Sequence, residues 1–173
     1  MALVTFNGKT PQVAPTAYVA DSALLIGDVQ VGDKTVIYPY CIIRGDLKPI
    51  TIGANNIILE GCMINTTMMT PSKIGDNCML GFGVVVHGST VGNRCVLGIN
   101  SVLMPFVVVE DEAIIGTNAF VPQGMKIPKR KVAMGTPAEV KKDVLDKDLQ
   151  MWDMGKEQWR KLAMKYKEGG IKV

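Results

Sequence analysis

Residues 91–127 read VGNRCVLGINSVLMPFVVVEDEAIIGTNAFVPQGMKI, and in this stretch a branched apolar residue occupies every sixth position: Val91, Leu97, Leu103, Val109, Ile115, Val121 and Ile127. A six-residue unit cannot bury its own apolar side chain and must stack on its neighbours, so a period this short predicts a solenoid, three rungs to a coil. Working outward, the same rhythm runs through Val13, Val19, Leu25, Val31, Ile37 and Ile43, then Ile52, Ile58 and Ile64, then Ile74, Leu80 and Val86. The position four residues later is usually small: Ala17, Ala23, Thr35, Cys41, Cys62, Cys78, Cys95, Ser101, Ala113 and Ala119. Large and small side chains alternating into one interior suit a narrow triangular prism of parallel strands. Glycine often follows the apolar residue, as at Gly32, Gly53, Gly75, Gly92, Gly98 and Gly116, and supplies backbone freedom at the corners. The expected fold is mainly β, a parallel β-helix over about 11–132, with a helical segment over about 136–168, all in a single domain of 173 residues.

A net charge of +3 is too small to imply nucleic acid as a partner, and the basic residues gather at Lys126–Lys131 and at Lys156–Lys167. The first cluster is either a phosphate site or a solvated face. No apolar run approaches the roughly 18 residues of a membrane span, and the N-terminus carries no secretion signal, so the expectation is a cytoplasmic protein. All four cysteines fall on the small interior position, with Cys41 stacked near Cys62 and Cys78 near Cys95, and no CxxC spacing occurs. Buried thiols acting as small hydrophobes are expected, not a metal or redox centre.

The six-residue count fails in three places, where loops with a function are expected. Nine residues separate Ile43 from Ile52 and carry Arg44-Gly45-Asp46; ten separate Ile64 from Ile74; five separate Val86 from Val91 and carry His87-Gly88. Beyond Lys131, Thr136-Pro137-Ala138-Glu139 has an N-cap threonine, proline at the first helical position and glutamate three after the cap. Leu145, Leu149 and Trp152, then Trp159, Leu162 and Tyr166, follow helical spacing, with Gly155 a break and Gly169-Gly170 a stop. Their apolar faces are expected to cover the outside of the prism, on the same subunit or a neighbour.

By rung count Arg44, Asn65 and His87 each follow the inward apolar residue on rungs three apart, so they should stack on one face at about 4.8 Å per coil. With the Arg44–Asp46 corner, the Gly81–Gly88 stretch and the Gly135–Ala138 segment, the chain resembles the γ-class carbonic anhydrases, left-handed hexapeptide-repeat β-helices, over nearly its whole length. The resemblance implies a homotrimer with zinc at each subunit interface, held by three histidines. Those positions fall here on Asn65, Phe82 and His87, so one imidazole remains, and an amide oxygen and a phenyl ring cannot complete a zinc site. The polar residues that orient the zinc-bound solvent fall on Ile57 and Leu59, and the Tyr or Asn near the C-terminal helix around Gln158 and Trp159. The expectation is therefore no metal.

An apolar cleft suits an organic acyl chain better than bicarbonate. One reading is an acyl-thioester enzyme or binder. In it Asn65, Phe82, Leu59 and Ile57 line the substrate, His87 acts as base, and Lys126, Lys129 and Arg130 meet a coenzyme A phosphate. Arg44 and Asp46 are assigned by resemblance to an ion pair across the subunit interface, ahead of a catalytic part. Other readings are a structural subunit, alone or in a mixed trimer with a histidine-complete paralogue, and a zinc-dependent hydratase.

Overall fold

The computed structural model describes residues 2–169 as a parallel β-solenoid of about seven turns followed by one helix. The hexapeptide reading holds at the level of individual rungs. Leu25, Ile43, Ile64, Val86, Leu103 and Val121 pair in register up one face, and Val31, Ile52, Ile74, Val91, Val109 and Ile127 up a second. Val19, Ile37, Ile58, Leu80, Leu97 and Ile115 form the third. These ladders, together with the small residues at Ala23, Cys41, Cys62, Cys78, Cys95, Ala113 and Ala119, make one buried core. The cysteines are free and buried as anticipated. Cys41 sits against Cys62 and Cys78 against Cys95; hydrogen bonding within each pair, with burial, pushes the Cys62 and Cys78 thiols above the ordinary range.

The corners correct the reading of the glycines. Left-handed backbone at many corners is carried by non-glycine residues, among them Asn55, Asn77, Arg94, Asn100 and Asn118, and elsewhere by glycines such as Gly61, Gly83 and Gly124 that do not follow the apolar rung; apart from glycine, asparagine is among the residues that tolerate that region best. The glycines after the apolar rung serve close approach instead. A Cβ on Gly32 would lie 2.7 Å from the Gly53 carbonyl carbon of the next coil, and one on Gly75 2.7 Å from the Gly92 oxygen.

Two expectations about interruptions and helix limits are overturned. The first interruption is no loop: Ile42–Ile52 is one continuous strand paired to Leu24–Val31, with the register shift absorbed between Gly27 and Val29. Helix does not begin at Thr136. Lys131–Gly135 and Ala138–Asp143 form an antiparallel hairpin around a cis Thr136–Pro137 peptide, which caps the last coil. The Thr136 hydroxyl, free to cap a helix only if the chain turned there, donates instead to the Asn118 carbonyl (3.0 Å).

The helix α1 is Asp146–Gly169 and passes through Gly155 without a break; Gly170, the other half of the expected stop, lies outside the described residues. Its start is sealed by the Asp148 carboxylate, which accepts from the Leu145 N–H (3.0 Å). The helix runs back along the third face, burying Ala163 and packing Trp152, Trp159, Met164 and Tyr166 onto Val36, Tyr38, Ile57, Leu59, Met79 and Val96. Its pitch of about 5.4 Å per turn nearly matches the coil spacing of about 4.8 Å. One helical turn therefore meets one coil. Asp153 pairs with Arg94 (2.5 Å), Lys156 donates to the Asn77 carbonyl (2.6 Å), and Arg160 donates to the Asn55 carbonyl (2.9 Å), on successive coils of one corner. Lys156 is buried because its ammonium also pairs with Asp153 (2.7 Å). Among the described residues no helix is long and apolar enough to cross a membrane.

Candidate functional site

Arg44, Asn65 and His87 stack as the rung count requires: Arg44 pairs with Asn65, and Asn65 with His87, across adjacent coils of the first face. Asn65 and His87 each end a short strand, whereas Arg44 lies inside the long strand Ile42–Ile52; the three stack one above another along one edge of the first face. Between Asn65 and His87 the stacking becomes a hydrogen bond, His87 Nδ1 to Asn65 Oδ1 at 2.6 Å. An amide oxygen only accepts, so Nδ1 carries the proton. The other ring nitrogen, Nε2, is then the basic one, with its lone pair available. This is the orientation a general base needs, with the imidazole held in one tautomer by a neighbour.

The edge is built around this pair. Gly88 turns the chain at φ +61°, and a Cβ there would collide with Thr70 and Thr67 of the 66–71 loop. That loop closes on itself through Thr67 N–H to Thr70 O (3.0 Å) and Thr67 Oγ1 to Thr70 Oγ1 (2.8 Å), leaving Met68 and Met69 the most exposed large apolar side chains among the described residues. Ser72 Oγ donates to the Asn65 carbonyl (2.6 Å) from a buried position. Leu47, half-exposed, stands on the neighbouring strand. Arg44 and Asp46 pair within the chain, Nε to Oδ2 at 3.3 Å.

The outward column beside the pair is apolar. Leu24, Ile42, Met63, Val85, Val102 and Phe120 register one above another on the first face, and none is fully buried.

The remaining sequence-derived candidates lie elsewhere in the chain. Phe82 is at the corner between the third and first faces, edge-on to Trp159 with ring centroids 5.8 Å apart. Leu59 and Ile57 are buried beneath α1. Leu59 and Phe82 share an apolar groove of about 340 Å³ with Trp152 and Trp159. Within one subunit, therefore, the substrate-lining set divides into the Asn65–His87 edge and the Leu59–Phe82 groove. Of the pair near the C-terminal helix, Trp159 lines that groove and Gln158 is exposed.

The basic candidates are partly spoken for. Lys126 pairs with Glu110 (2.7 Å), Arg130 with Asp146 and with Glu112 (3.7 Å), and the Lys129 N–H donates to Glu110 Oε2 (2.8 Å). The Lys126 and Lys129 bonds hold the Glu110 carboxyl below its usual range.

The positions to which resemblance assigns zinc supply one imidazole, whose Nδ1 is committed to Asn65, one amide and one phenyl ring. That set does not fit the ion. Among the described residues no three His, Cys, Asp or Glu side chains gather as a metal group. Sequence reasoning missed Lys156 and the hydrogen bond that joins Asn65 to His87; the register of the pair was visible, its contact was not.

A family described as bacterial transferase hexapeptide (six repeats) matches residues 88–123. Carnitine operon protein CaiE of Escherichia coli is 38% identical over 149 residues, which cover 86% of this chain and 76% of CaiE. Among solved structures, a Bacillus cereus protein proposed to be an acetyltransferase superposes with a TM-score of 0.94 at 27% identity, covering 96% of this chain and 97% of its own. A histidine-to-asparagine variant of perosamine N-acetyltransferase from Caulobacter crescentus, solved with CoA and GDP-perosamine, superposes with a TM-score of 0.59 at 26% identity, over 83% of this chain and 59% of its own.

Proposed function

The chain belongs to the hexapeptide-repeat transferase family, and on that premise we propose that it acts on an acyl thioester without a metal, in a cleft between copies of a homotrimer. The observation that carries the reading is the 2.6 Å bond from His87 Nδ1 to Asn65 Oδ1, which leaves Nε2 as a base at the edge of an apolar, uncovered face. In the step that follows, Nε2 takes the proton of an acceptor hydroxyl, amine or water as that group attacks the thioester carbonyl. The carbon–sulfur bond then breaks, and the leaving thiolate takes the proton back from the imidazolium. The resemblance to γ-class carbonic anhydrases fits the same edge with a degenerate metal site, because one imidazole in place of three favours proton transfer over metal binding.

Six apolar outward residues in register support the trimer, since a ladder of that length calls for a partner surface. A purely structural role is the second reading. It is favoured by the ion pairs at Lys126 and Arg130, which leave less charge for a coenzyme A phosphate.

The test is release of coenzyme A from acetyl- and decanoyl-CoA, followed with a thiol reagent and a panel of amine and alcohol acceptors. His87→Ala is expected to lower turnover by about 10²–10⁴-fold, the range of a general base. Asn65→Leu should lower it less, because the imidazole stays in place but is no longer held in one tautomer and orientation. No thiol release from either thioester with any acceptor, or release unchanged by His87→Ala, excludes the reading and leaves the structural one.

A further inference from the structure

The residue that follows the inward apolar rung on the third face defines a vertical column: Tyr38, Leu59, Gly81, Gly98, Gly116, Met134. Its order is fixed by the pairing of Ile37 with Ile58, Ile58 with Leu80, Leu80 with Leu97, Leu97 with Ile115 and Ile115 with Ala133. In two coils the column is filled, by Tyr38 and Leu59, both fully buried under α1. In the next three coils it is bare. At these positions the next coil approaches too closely for a side chain: a Cβ on Gly81 would sit 2.8 Å from the Ile99 nitrogen and one on Gly98 2.5 Å from the Thr117 nitrogen. The consequence outside the prism is a slot where three side chains are missing in a row, and it is the apolar groove of about 340 Å³.

Met79, Val96 and Ile114 form one wall, in register. Trp152 and Trp159 of the helix form the other, and Phe82 and Ile99 stand at the mouth. Leu59 closes one end. The only hydroxyl among the lining residues, Thr117, is at the opposite end and exposed, and none of the lining residues is charged. The protein shows in its own adjoining coils what fits this column, namely one apolar side chain per coil, stacked along the axis. Three empty coils span about 14 Å at about 4.8 Å each, an extended path one chain wide.

We infer that this slot binds a single unbranched medium-length acyl chain, methyl end toward Leu59 and polar head emerging beside Thr117. The site lies within one subunit, between α1 and the coils, and is separate from the Asn65–His87 edge. Assigning the head group to a thioester rests on the proposed function; assigning the chain does not.

The chain has two tryptophans, and both line the slot, so their emission reports its occupancy. The full-length protein is titrated with decanoic acid brominated at its terminal carbon, a contact quencher, and with the equally brominated butanoic acid. Saturable quenching by the longer acid, at least tenfold stronger in apparent affinity than by the shorter, is expected. Val96→Phe and Ile114→Phe each put an aromatic ring into the slot from its wall and should weaken that binding at least tenfold, with helicity and thermal midpoint checked by circular dichroism. Ile114 is only partly buried, so its variant decides the matter if Val96→Phe does not fold. Absence of quenching, equal quenching by both acids, or quenching untouched by the filling variants overturns the inference. Turnover of acetyl- and decanoyl-CoA on the same samples separates the two proposals. Quenching without thioester turnover keeps the slot and removes the proposed chemistry. Turnover without quenching does the reverse.

Discussion

The first and third faces of the prism follow the same inward rule and differ in what lies over their outward columns. On the third face, Val36, Ile57, Met79 and Val96 are buried because the chain's own helix lies on them. On the first, Leu24, Ile42, Met63, Val85, Val102 and Phe120 make a column that is also apolar, yet Ile42 and Met63 remain 38% and 40% exposed. The second face shows that a bare column can be mostly polar: Gln12, Gln30, Thr51, Lys73, Thr90, Val108 and Lys126 are all exposed, with Val108 the one apolar member. Solenoid stacking constrains only the inward residues. The outward ones are free to record each face's partner, which is a helix, solvent or, on the proposed reading, another copy.

The sharpest way to break this comparison is to charge the first face. Val85→Asp should abolish self-association, with a loss of about 3–5 kcal/mol, the penalty of an unpaired charge buried in an interface, or more than a hundredfold in association constant. Thr90→Asp, on the second face one strand later, should change association by less than about 0.5 kcal/mol. Sedimentation equilibrium at micromolar concentration reads both. A wild-type chain that sediments as a monomer, or a Val85→Asp chain that still assembles, would mean that the apolar column has no copy over it.

A smaller effect separates covered from uncovered within one subunit. Ile57→Ala opens a cavity beneath α1 and should cost about 2–5 kcal/mol in urea unfolding. That cost should show mainly as faster unfolding of the helix from the coils, and it should not depend on protein concentration beyond the wild type's own dependence. Ile42→Ala should behave oppositely, with little cost at high dilution and more as the protein is concentrated. Equal, concentration-independent losses would erase the distinction between the two faces.

What could be read from the chain divides along the same line. Inward positions were legible because periodicity is a direct record of burial, and the register of Arg44, Asn65 and His87 followed from counting rungs. Outward structure was legible only where composition marked it. The helix was expected from Leu149, Trp152 and Trp159, but its start was misplaced, because Thr136-Pro137 fits an N-cap locally while the last coil offers a sheet edge for Ala138–Asp143 to pair with. Lys156 gave no signal at all; burying an ammonium makes sense only once the Asn77 carbonyl and Asp153 are known to meet it. The glycines were visible but misread, as freedom at corners rather than as side chains whose absence leaves a slot. The division of Asn65 and His87 from Leu59 and Phe82 was invisible, since spacing along a repeat says which coil a residue occupies and little about what lies across from it.

The smallest test probes the seal between helix and third face. Tyr38 is fully buried, donates from its hydroxyl to the Trp159 carbonyl (2.8 Å), and meets Trp159 and Tyr166 edge-on. Tyr38→Phe keeps the ring and removes that one bond, so the expected loss at neutral pH is about 1 kcal/mol. The larger difference appears in alkali. Burial, with the Tyr166 and Glu60 charges adding to it, raises the Tyr38 phenol above its ordinary value. Its contribution to stability is then fully present below the unfolded-state value of about 10 and is lost as pH rises toward the higher folded value, because the unfolded chain releases the proton first. Tyr18 is raised in the same sense, by burial first and then by Asp21, and it remains in the variant. The alkaline limb of urea midpoint against pH should therefore be shallower in Tyr38→Phe than in the wild type, though not flat. Parallel limbs would mean that water reaches the Tyr38 hydroxyl in solution, and that the helix covers the third face less tightly than its contacts with Ile57 and Leu59 require.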